Sequence, residues 1–346
     1  MNQFTDGWTG GLEPEIDFML TGKPDNLELR ESASIWLYEE NGEFAFPRIG
    51  IEAIGASWDR HDPQLNFATP DGRAMVDRPG PTLSHSPFGP NGKPTILGTG
   101  GLRLECIEPF HKWRASYQGR PIDTTAQAMI QGAVNQQHRA DLCLEVEITM
   151  AAPAWTQDLR PERLATMNEA ERIDAGLMGF GWRVEQTFRA EGKLTLDGRE
   201  RSFRGVGNRI HRQSVRPLGA FRGHCWQAAV FPDGRAFALC AYPPRNDGTT
   251  YNDGYVYIDG KMYRARGRKI PHIKGLVATA EDVSLELEYE LGVAHIGGVS
   301  SCNTFKVGIS DDAPGFILHQ GAVRYTWEDQ TAFGMIERSN WASHLT

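Results

Sequence analysis

The sequence predicts an all-β protein, a sandwich or barrel of antiparallel strands interrupted by one helix, and three observations carry that reading. Turn dipeptides recur between strand-like runs, at Asn41-Gly42, Asp197-Gly198, Asp233-Gly234 and Asp259-Gly260, and such pairs supply the positive φ angles that tight hairpins need. The run LCLEVEITM alternates, with Leu142, Leu144, Val146, Ile148 and Met150 on one face and Cys143, Glu145, Glu147 and Thr149 on the other, the period of a half-buried strand. A single stretch, PERLATMNEAERIDAG, has helix-forming composition, with Pro161 suited to a first turn and Gly176 to an end cap.

Taken in order, the first 30 or so residues are polar and turn-rich and predict an irregular lead-in. SIWLYEENGEFAFPRIGIEAIGASW reads as a hairpin about Asn41-Gly42. From Asp59 to Gly101 the turn pairs Asp71-Gly72 and Asn91-Gly92 and prolines at 79, 81, 87, 90 and 94 predict loops with short strands, since proline continues neither a central strand nor a helix interior. GLRLECIEPFHKWRASYQG reads as two strands broken at Pro109. After the helix the hairpins at Asp197, Asp233 and Asp259 follow in close succession. LELEYEL then sets Leu285, Leu287, Tyr289 and Leu291 opposite three glutamates, and the C-terminal stretch supplies two more strands. The helix sits mid-chain, so it is expected to bridge two β domains, residues 1–178 and 179–346.

Composition bounds the function. The 346 residues, 40% hydrophobic, suffice for two packed cores. A formal charge of −8 argues against a nucleic-acid partner, because binding phosphates through counterion release needs a basic surface. No long apolar run suggests a transmembrane segment, and the N-terminus lacks a basic start and an apolar stretch. The five cysteines are an odd number, widely spaced and without a CxxC pair, which reads as reduced thiols in a cytoplasmic protein. A homodimer is compatible with this composition, which does not fix the oligomeric state.

Dinucleotide, P-loop, HExxH, GxSxG and EF-hand patterns are all missing, and no cofactor is implied. The ten histidines are dispersed without i, i+2 or i, i+4 pairs, so no metal site is expected, although ligands gathered from distant strands stay open. The best candidate site is GVGNRIHRQSVRPLGAFRGHCW, Gly205 to Trp226. His211 and His224 are residues that exchange protons near neutral pH, Ser214 offers a hydroxyl, and Arg209, Arg212, Arg216 and Arg222 offer cations. A plain basic hairpin explains the same residues. Tyr251, Asp253, Tyr255 and Tyr257 alternate and would line one face of a strand, unless Asp253-Gly254 is a turn. His61, in WDRH, and His85 are N-terminal groups that could join such a pocket, although Asp59 and Asp62 equally suit a turn before Pro63.

Several strings together resemble the carotenoid 1,2-hydratase and AttH-like family: GLRLECIEPFHKWRASYQG, WRVEQTFRAEGKLTLDGRERSFRGVGNRIHRQSVR, GYVYIDGKMY and YTWEDQTAFGMIERS. The resemblance implies two lipocalin-like β-barrel domains and a cofactor-independent enzyme that adds or removes water at double bonds, or isomerises apolar substrates, by proton transfer. The family's R-D-H-x-W-G motif is matched by Arg209-Ile210-His211-Arg212-Gln213-Ser214, with isoleucine and glutamine in place of its aspartate and tryptophan. An aromatic-Glu-Gln string survives as Val184-Glu185-Gln186, and Glu337 matches a carboxylate of the C-terminal strand. Without the aspartate, proton removal beside an activated position is easier to support than protonation of an isolated alkene. The expected function is therefore a lyase or isomerase acting on a hydrophobic, isoprenoid or aromatic small molecule. His211, Asp253 and Tyr255 would be catalytic, and Arg209, Ser214, His224, Trp226, His61 and His85 would bind substrate. A non-catalytic lipocalin-like carrier is the alternative.

Overall fold

A computed structural model describes residues 7–156, 164–177, 179–215, 221–307 and 315–345. The alternating runs become strands β1 (Leu29–Glu39), β2 (Ala45–Ile54), β3 (Arg60–Ala68), β4 (Arg73–Asp77), β5 (Thr82–Leu83), β6 (Ile96–Thr99), β7 (Leu102–Glu108), β8 (Lys112–Gly119), β9 (Ile122–Thr125), β10 (Leu142–Met150) and β11 (Trp155–Thr156). Two long strands follow, β12 (Phe180–Leu196) and β13 (Arg199–Val215). All are antiparallel in one curled sheet whose main path runs β6-β7-β8-β10-β12-β13-β1-β2-β3-β4-β9. Strands β14 (His224–Val230), β15 (Ala236–Ala241), β16 (Asn252–Ile258), β17 (Lys261–Lys269), β18 (Leu285–Tyr289), β19 (Gly292–Val307), β20 (Phe316–Trp327) and β21 (Gln330–Trp341) close into a barrel, β21 pairing back onto β14. The protein is thus almost entirely β, a curled sheet beside a closed barrel, as the lipocalin-like expectation requires.

The line between the two sheets falls elsewhere than the expected division at 178/179. Strands β12 and β13 pair with β10 and β1, inside the first sheet, and the chain crosses to the barrel between Val215 and His224. The reason is the length of these strands. Their register continues unbroken from Phe180↔Val215 to Leu196↔Arg199, so both belong to whichever sheet takes one of them. Gly205 to Trp226 is consequently the end of one sheet and the start of the other.

Each hairpin predicted from a turn pair is present. Asp197 and Asp259 adopt φ near 50°, and the glycines after them 77° and 75°, the left-handed pair of a two-residue turn. Asp253 and Gly254 lie within β16, where Gly254 pairs with Leu239 and Ala265 instead of turning. Leu291 is exposed, because β18 ends at Tyr289 and the chain is already turning.

The expected helix is shorter than its sequence pattern. Helix α1 (Ala126–Ile130) is a single turn the pattern did not signal, and α2 (Glu169–Leu177) occupies the second half of the predicted stretch, with Gly176 inside it; Pro161 lies outside the described residues. Asn168 supplies the reason for the start: its Oδ1 accepts from the Glu171 amide at 2.9 Å while Glu171 Oε2 accepts from the Asn168 amide at 3.1 Å, a reciprocal cap. Asp174 then pins α2 to the barrel. It is fully buried, accepts from Arg245 Nη1 and Nη2 at 2.7 and 2.8 Å, and accepts from Arg222 Nη2 at 2.8 Å.

Three cores result. One fills the first sheet, around Ile35, Leu37, Phe46, Phe67 and Leu144. A second fills the barrel, around Phe237, Leu239, Leu287 and Tyr325. The third joins the sheets, packing Trp36, Tyr38 and Val206 against Trp226, Ala238, Tyr255 and Met335. If Asp174 is the anchor of α2, Asp174→Ala raises amide hydrogen exchange across Glu169–Leu177 by about tenfold or more, roughly 1.4 kcal/mol of local opening. Unchanged exchange there would show that packing alone holds the helix.

Candidate active site

Successive side chains of a strand point to opposite faces, and in β13 that alternation separates the predicted site residues. Arg209 and His211 point into the first sheet. There Arg209 Nη1 and Nη2 donate to the two oxygens of Asp17 at 2.8 and 3.0 Å, and Gln186 Oε1 accepts from Arg209 Nε at 3.2 Å. His211 Nδ1 lies 3.2 Å from Asp17 Oδ1, and its Nε2 3.4 Å from Glu31 Oε1. Asp17 also accepts from the Phe110 amide at 2.8 Å and Trp113 Nε1 at 3.1 Å. Asp17, Arg209 and His211 are at most 1% exposed, and the cluster fastens the N-terminal turn Pro14–Asp17 to the sheet.

Burial opposes charge on both members, yet the surroundings prevail. The Asp17 carboxyl is pushed up by burial and pulled further down by Arg209 and His211, ending well below the usual carboxylate range. Burial lowers the His211 pKa, but hydrogen bonding to Asp17 and Glu31 raises it above the ordinary value.

The other expected residues are dispersed. Asp253 is held by Arg264 Nε and Nη2 at 2.8 and 2.6 Å. Tyr255 packs 6.1 Å from Trp155 in the core between the sheets. Ser214 is buried at the end of β13. His61 lies against Trp58 at 5.9 Å, its pKa lowered by burial, and His85 is exposed. Arg216 lies outside the described residues.

His224 and Trp226 are different. They line a narrow cleft, open at one side, between the outer face of the first sheet and the outer face of the barrel. From the first sheet come Trp36, Arg48, Glu52, Arg183, Ile210 and Arg212; from the barrel come His224, Trp226, Cys240, Tyr242 and Glu337, with Phe221 between. The opposite parity of β13 explains the contrast: Ile210 and Arg212 face the cleft that Arg209 and His211 turn away from.

His224 sits on β14 directly beside β21, paired with Ser339. Its Nε2 is 3.1 Å from Glu337 Oε1 and its Nδ1 2.6 Å from Ser339 Oγ, which also accepts from the His224 amide at 3.1 Å. Glu337 Oε2 accepts from Gln320 Nε2 at 2.5 Å, and Arg48 Nη1 is 3.7 Å away. Burial would raise the Glu337 pKa, but His224, Arg48 and Gln320 outweigh it and hold the carboxyl at about 2. Glu337 is therefore an acceptor only. That places a proton on His224 Nε2, and leaves Nδ1 to accept from the Ser339 hydroxyl when the ring is neutral or to donate to it when charged. Rotation of one hydroxyl accommodates either state.

Glu185, on β12, organises the opposite wall. Its Oε2 accepts from Trp226 Nε1 at 3.0 Å and Asn208 Nδ2 at 3.3 Å, while Oε1 pairs with Arg183. Arg183 lies over Trp226 at 4.9 Å, Trp226 meets Trp36 edge-on at 4.7 Å, and Arg48 lies over Trp36 at 5.0 Å. The cleft thus combines aromatic walls, arginines and a histidine–carboxylate pair. Among the described residues no group of three or more His, Cys, Asp or Glu is arranged to hold a metal ion, and no helix is long and apolar enough to cross a membrane.

Residues 23–342 match the model of a family described as a domain of unknown function, DUF7064. The chain belongs to this DUF7064 family. No curated protein matches it significantly. Among solved structures it is similar to a protein provisionally assigned as AttH from Nitrosomonas europaea, at 12% identity and a TM-score of 0.57 over 90% of this chain and 92% of that one. It is also similar to CghA with Sch210972, at 11% identity and a TM-score of 0.53, over 90% and 88%. At such identities the likeness concerns the fold, and it agrees with the family resemblance read from the sequence.

Arg48, Arg183, Trp36 and Ser339 were not signalled by the DUF7064 sequence, since an arginine within a strand or a serine near a C-terminus is unremarkable until its facing strand is known. Glu337 and Glu185 were signalled, by the family strings. Asp17→Asn breaks a buried ion pair and is expected to lower the unfolding free energy by about 3–5 kcal/mol, read by urea denaturation at pH 7. His211, with its raised pKa, stabilises the fold fully below the ordinary histidine value of about 6.5 and loses that contribution as pH rises through the folded value. The stability gap between the parent and His211→Gln therefore narrows as pH is raised; a constant gap would mean that no charge on His211 is involved.

Proposed function

We propose that the protein is a lyase or isomerase of the hydratase type, acting on a small molecule bound in the cleft between the two sheets. His224 is its general acid and base. The observation that carries this reading is the His224 ring, fixed between Ser339 and the ionised Glu337 at the wall of an aromatic-lined cleft. A histidine pinned at one nitrogen by a carboxylate is held in one orientation and one tautomer.

In an elimination, the neutral His224 ring takes the proton from the carbon beside the leaving hydroxyl at Nδ1 while Nε2–H stays on Glu337; the ring then gives that proton to the hydroxyl as the C–O bond breaks, so that a double bond and water form and the ring returns to neutral. In the hydration direction the same steps reverse: water loses a proton to the ring as it adds, and the ring passes the proton to the neighbouring carbon. Glu337 stays ionised throughout the neutral range, offsetting the charge on the ring. The arginines favour a substrate with an oxygen-bearing, conjugated body over a plain hydrocarbon. CghA holds Sch210972 on a similar fold, which supports reading this architecture as one that admits small molecules.

The test uses purified protein in D2O with panels of hydroxylated and unsaturated aromatic and isoprenoid compounds, followed by mass spectrometry for loss or gain of water and for deuterium bound to carbon. For a converted compound, His224→Gln is expected to lower kcat about 10²–10⁴-fold, and Glu337→Gln to lower it by a smaller factor. A folded His224→Gln protein with the parent rate would remove His224 from the chemistry. Binding in the cleft without conversion across both panels would favour a carrier.

A further inference from the structure

Three cleft residues hold buried hydrogen-bond donors that nothing satisfies. Arg183 is 4% exposed and spends one end of its guanidinium on Glu185, but its Nε and Nη1 have no hydrogen-bond partner among the described residues. Trp36 is fully buried and its Nε1 is likewise unpaired. Arg48 Nε is unpaired too, and its two terminal nitrogens stand 3.7 Å from Glu337 and 3.8 Å from Glu52, beyond hydrogen-bonding distance. A buried donor without an acceptor is costly, and proteins rarely leave one so. Here four occur on three residues that line one cleft and adjoin through the Arg48–Trp36–Trp226–Arg183 stack.

All four groups are donors, and two of the three residues are cations. What satisfies them is a group that only accepts and carries negative charge. The rings of Trp36 and Trp226 beside them favour a flat, unsaturated body attached to it.

We infer that this part of the cleft is an oxyanion subsite, in which Arg183 Nε and Nη1, Trp36 Nε1 and Arg48 Nε bind the carboxylate or phenolate of an aromatic or conjugated substrate. The inference rests on the cleft being the substrate site. It deepens that reading by adding the substrate's charge and the end by which it is held. An anion on the arginines also has a chemical use: it fixes the substrate relative to His224 on the opposite wall, and a conjugated oxyanion accepts the charge that builds up when a proton is removed or a hydroxyl leaves.

Isothermal titration of the purified protein with cinnamate against methyl cinnamate, and with 4-nitrophenolate against 4-nitroanisole, tests it at constant pH. At least one anion is expected to bind about tenfold or more tightly than its neutral partner, since a charge-assisted pair is lost in the neutral compound. Trp36→Phe removes one donor and keeps the ring, so it should weaken the anion several-fold and leave the neutral compound unaffected. Arg183→Lys keeps the charge but loses the two-nitrogen fork, and should weaken the anion by about tenfold. No saturable binding of either anion, equal binding of each anion and its neutral partner, or unchanged anion binding in both variants would overturn the subsite.

His224→Gln separates this inference from the proposed chemistry. If it binds the anion like the parent but has lost turnover, both stand. If it retains both binding and turnover, the role of His224 fails while the subsite remains.

Discussion

Strand β1, β12 over residues 183–188 and β13 over residues 205–212 are buried on both faces, and the two-residue period of a strand makes each of them serve two interiors at once. Ala33, Ile35 and Leu37 pack within the first sheet, while Ser32, Ser34 and Trp36 between them face the barrel. In β13 the same rule sends Arg209 and His211 inward and Ile210 and Arg212 outward. A shift of one residue in the pairing of β1 with β13 would exchange these sets. The N-terminal anchor at Asp17 and the cleft between the sheets therefore depend on one register.

Such strands must carry charges into both interiors, and the protein compensates the two sides differently. On the inner side Arg209 is fully engaged, by both Asp17 oxygens and by Gln186. On the other face of β21, next to Glu337, Arg338 is matched to Glu281 through both terminal nitrogens. In the cleft Arg183 has one carboxylate for one end only, and Arg48 stands between two carboxylates without closing on either. Incomplete pairing of buried cations destabilises a fold, and both of these arginines face the same cleft between the sheets.

Much of this architecture was legible in the sequence, because hairpins and half-buried strands are local. The Asp-Gly and Asn-Gly turns and the alternation of Leu142 to Met150 depend on neighbours within a few residues, and they fold as read. The start of α2 escaped the pattern because a cap at Asn168 outranks helix composition upstream of it. The site was harder for a different reason. His211 and His224 lie in one basic stretch with similar local credentials, and their separation depends on which face each presents to which sheet. That is fixed by the pairings of His224 with Ser339 and of β13 with β1, contacts across more than a hundred residues. Family strings reached further than spacing did: Glu337 lines the cleft and Glu185 holds its Trp226 and Arg183, whereas Asp253, chosen for its place in an alternating run, is occupied by Arg264.

The orientation of Glu337 shows how strictly the cleft depends on both sheets. A carboxylate only accepts, so Gln320 must turn its Nε2 toward Glu337 and its Oε1 away. That oxygen accepts from Asn66 Nδ2, on β3 of the first sheet, at 2.7 Å. Asn66 is then obliged to present its own Oδ1 in the other direction, where Arg78 Nη2 donates at 2.9 Å. Arg78 only donates, and the chain ends there. With a donor-only group at one end and an acceptor-only group at the other, neither amide between them can flip without breaking two hydrogen bonds. The carboxylate that orients His224 on the barrel is thus held in place by a side chain of the first sheet, and docking of the two sheets completes the His224–Glu337 pair along with the walls around it.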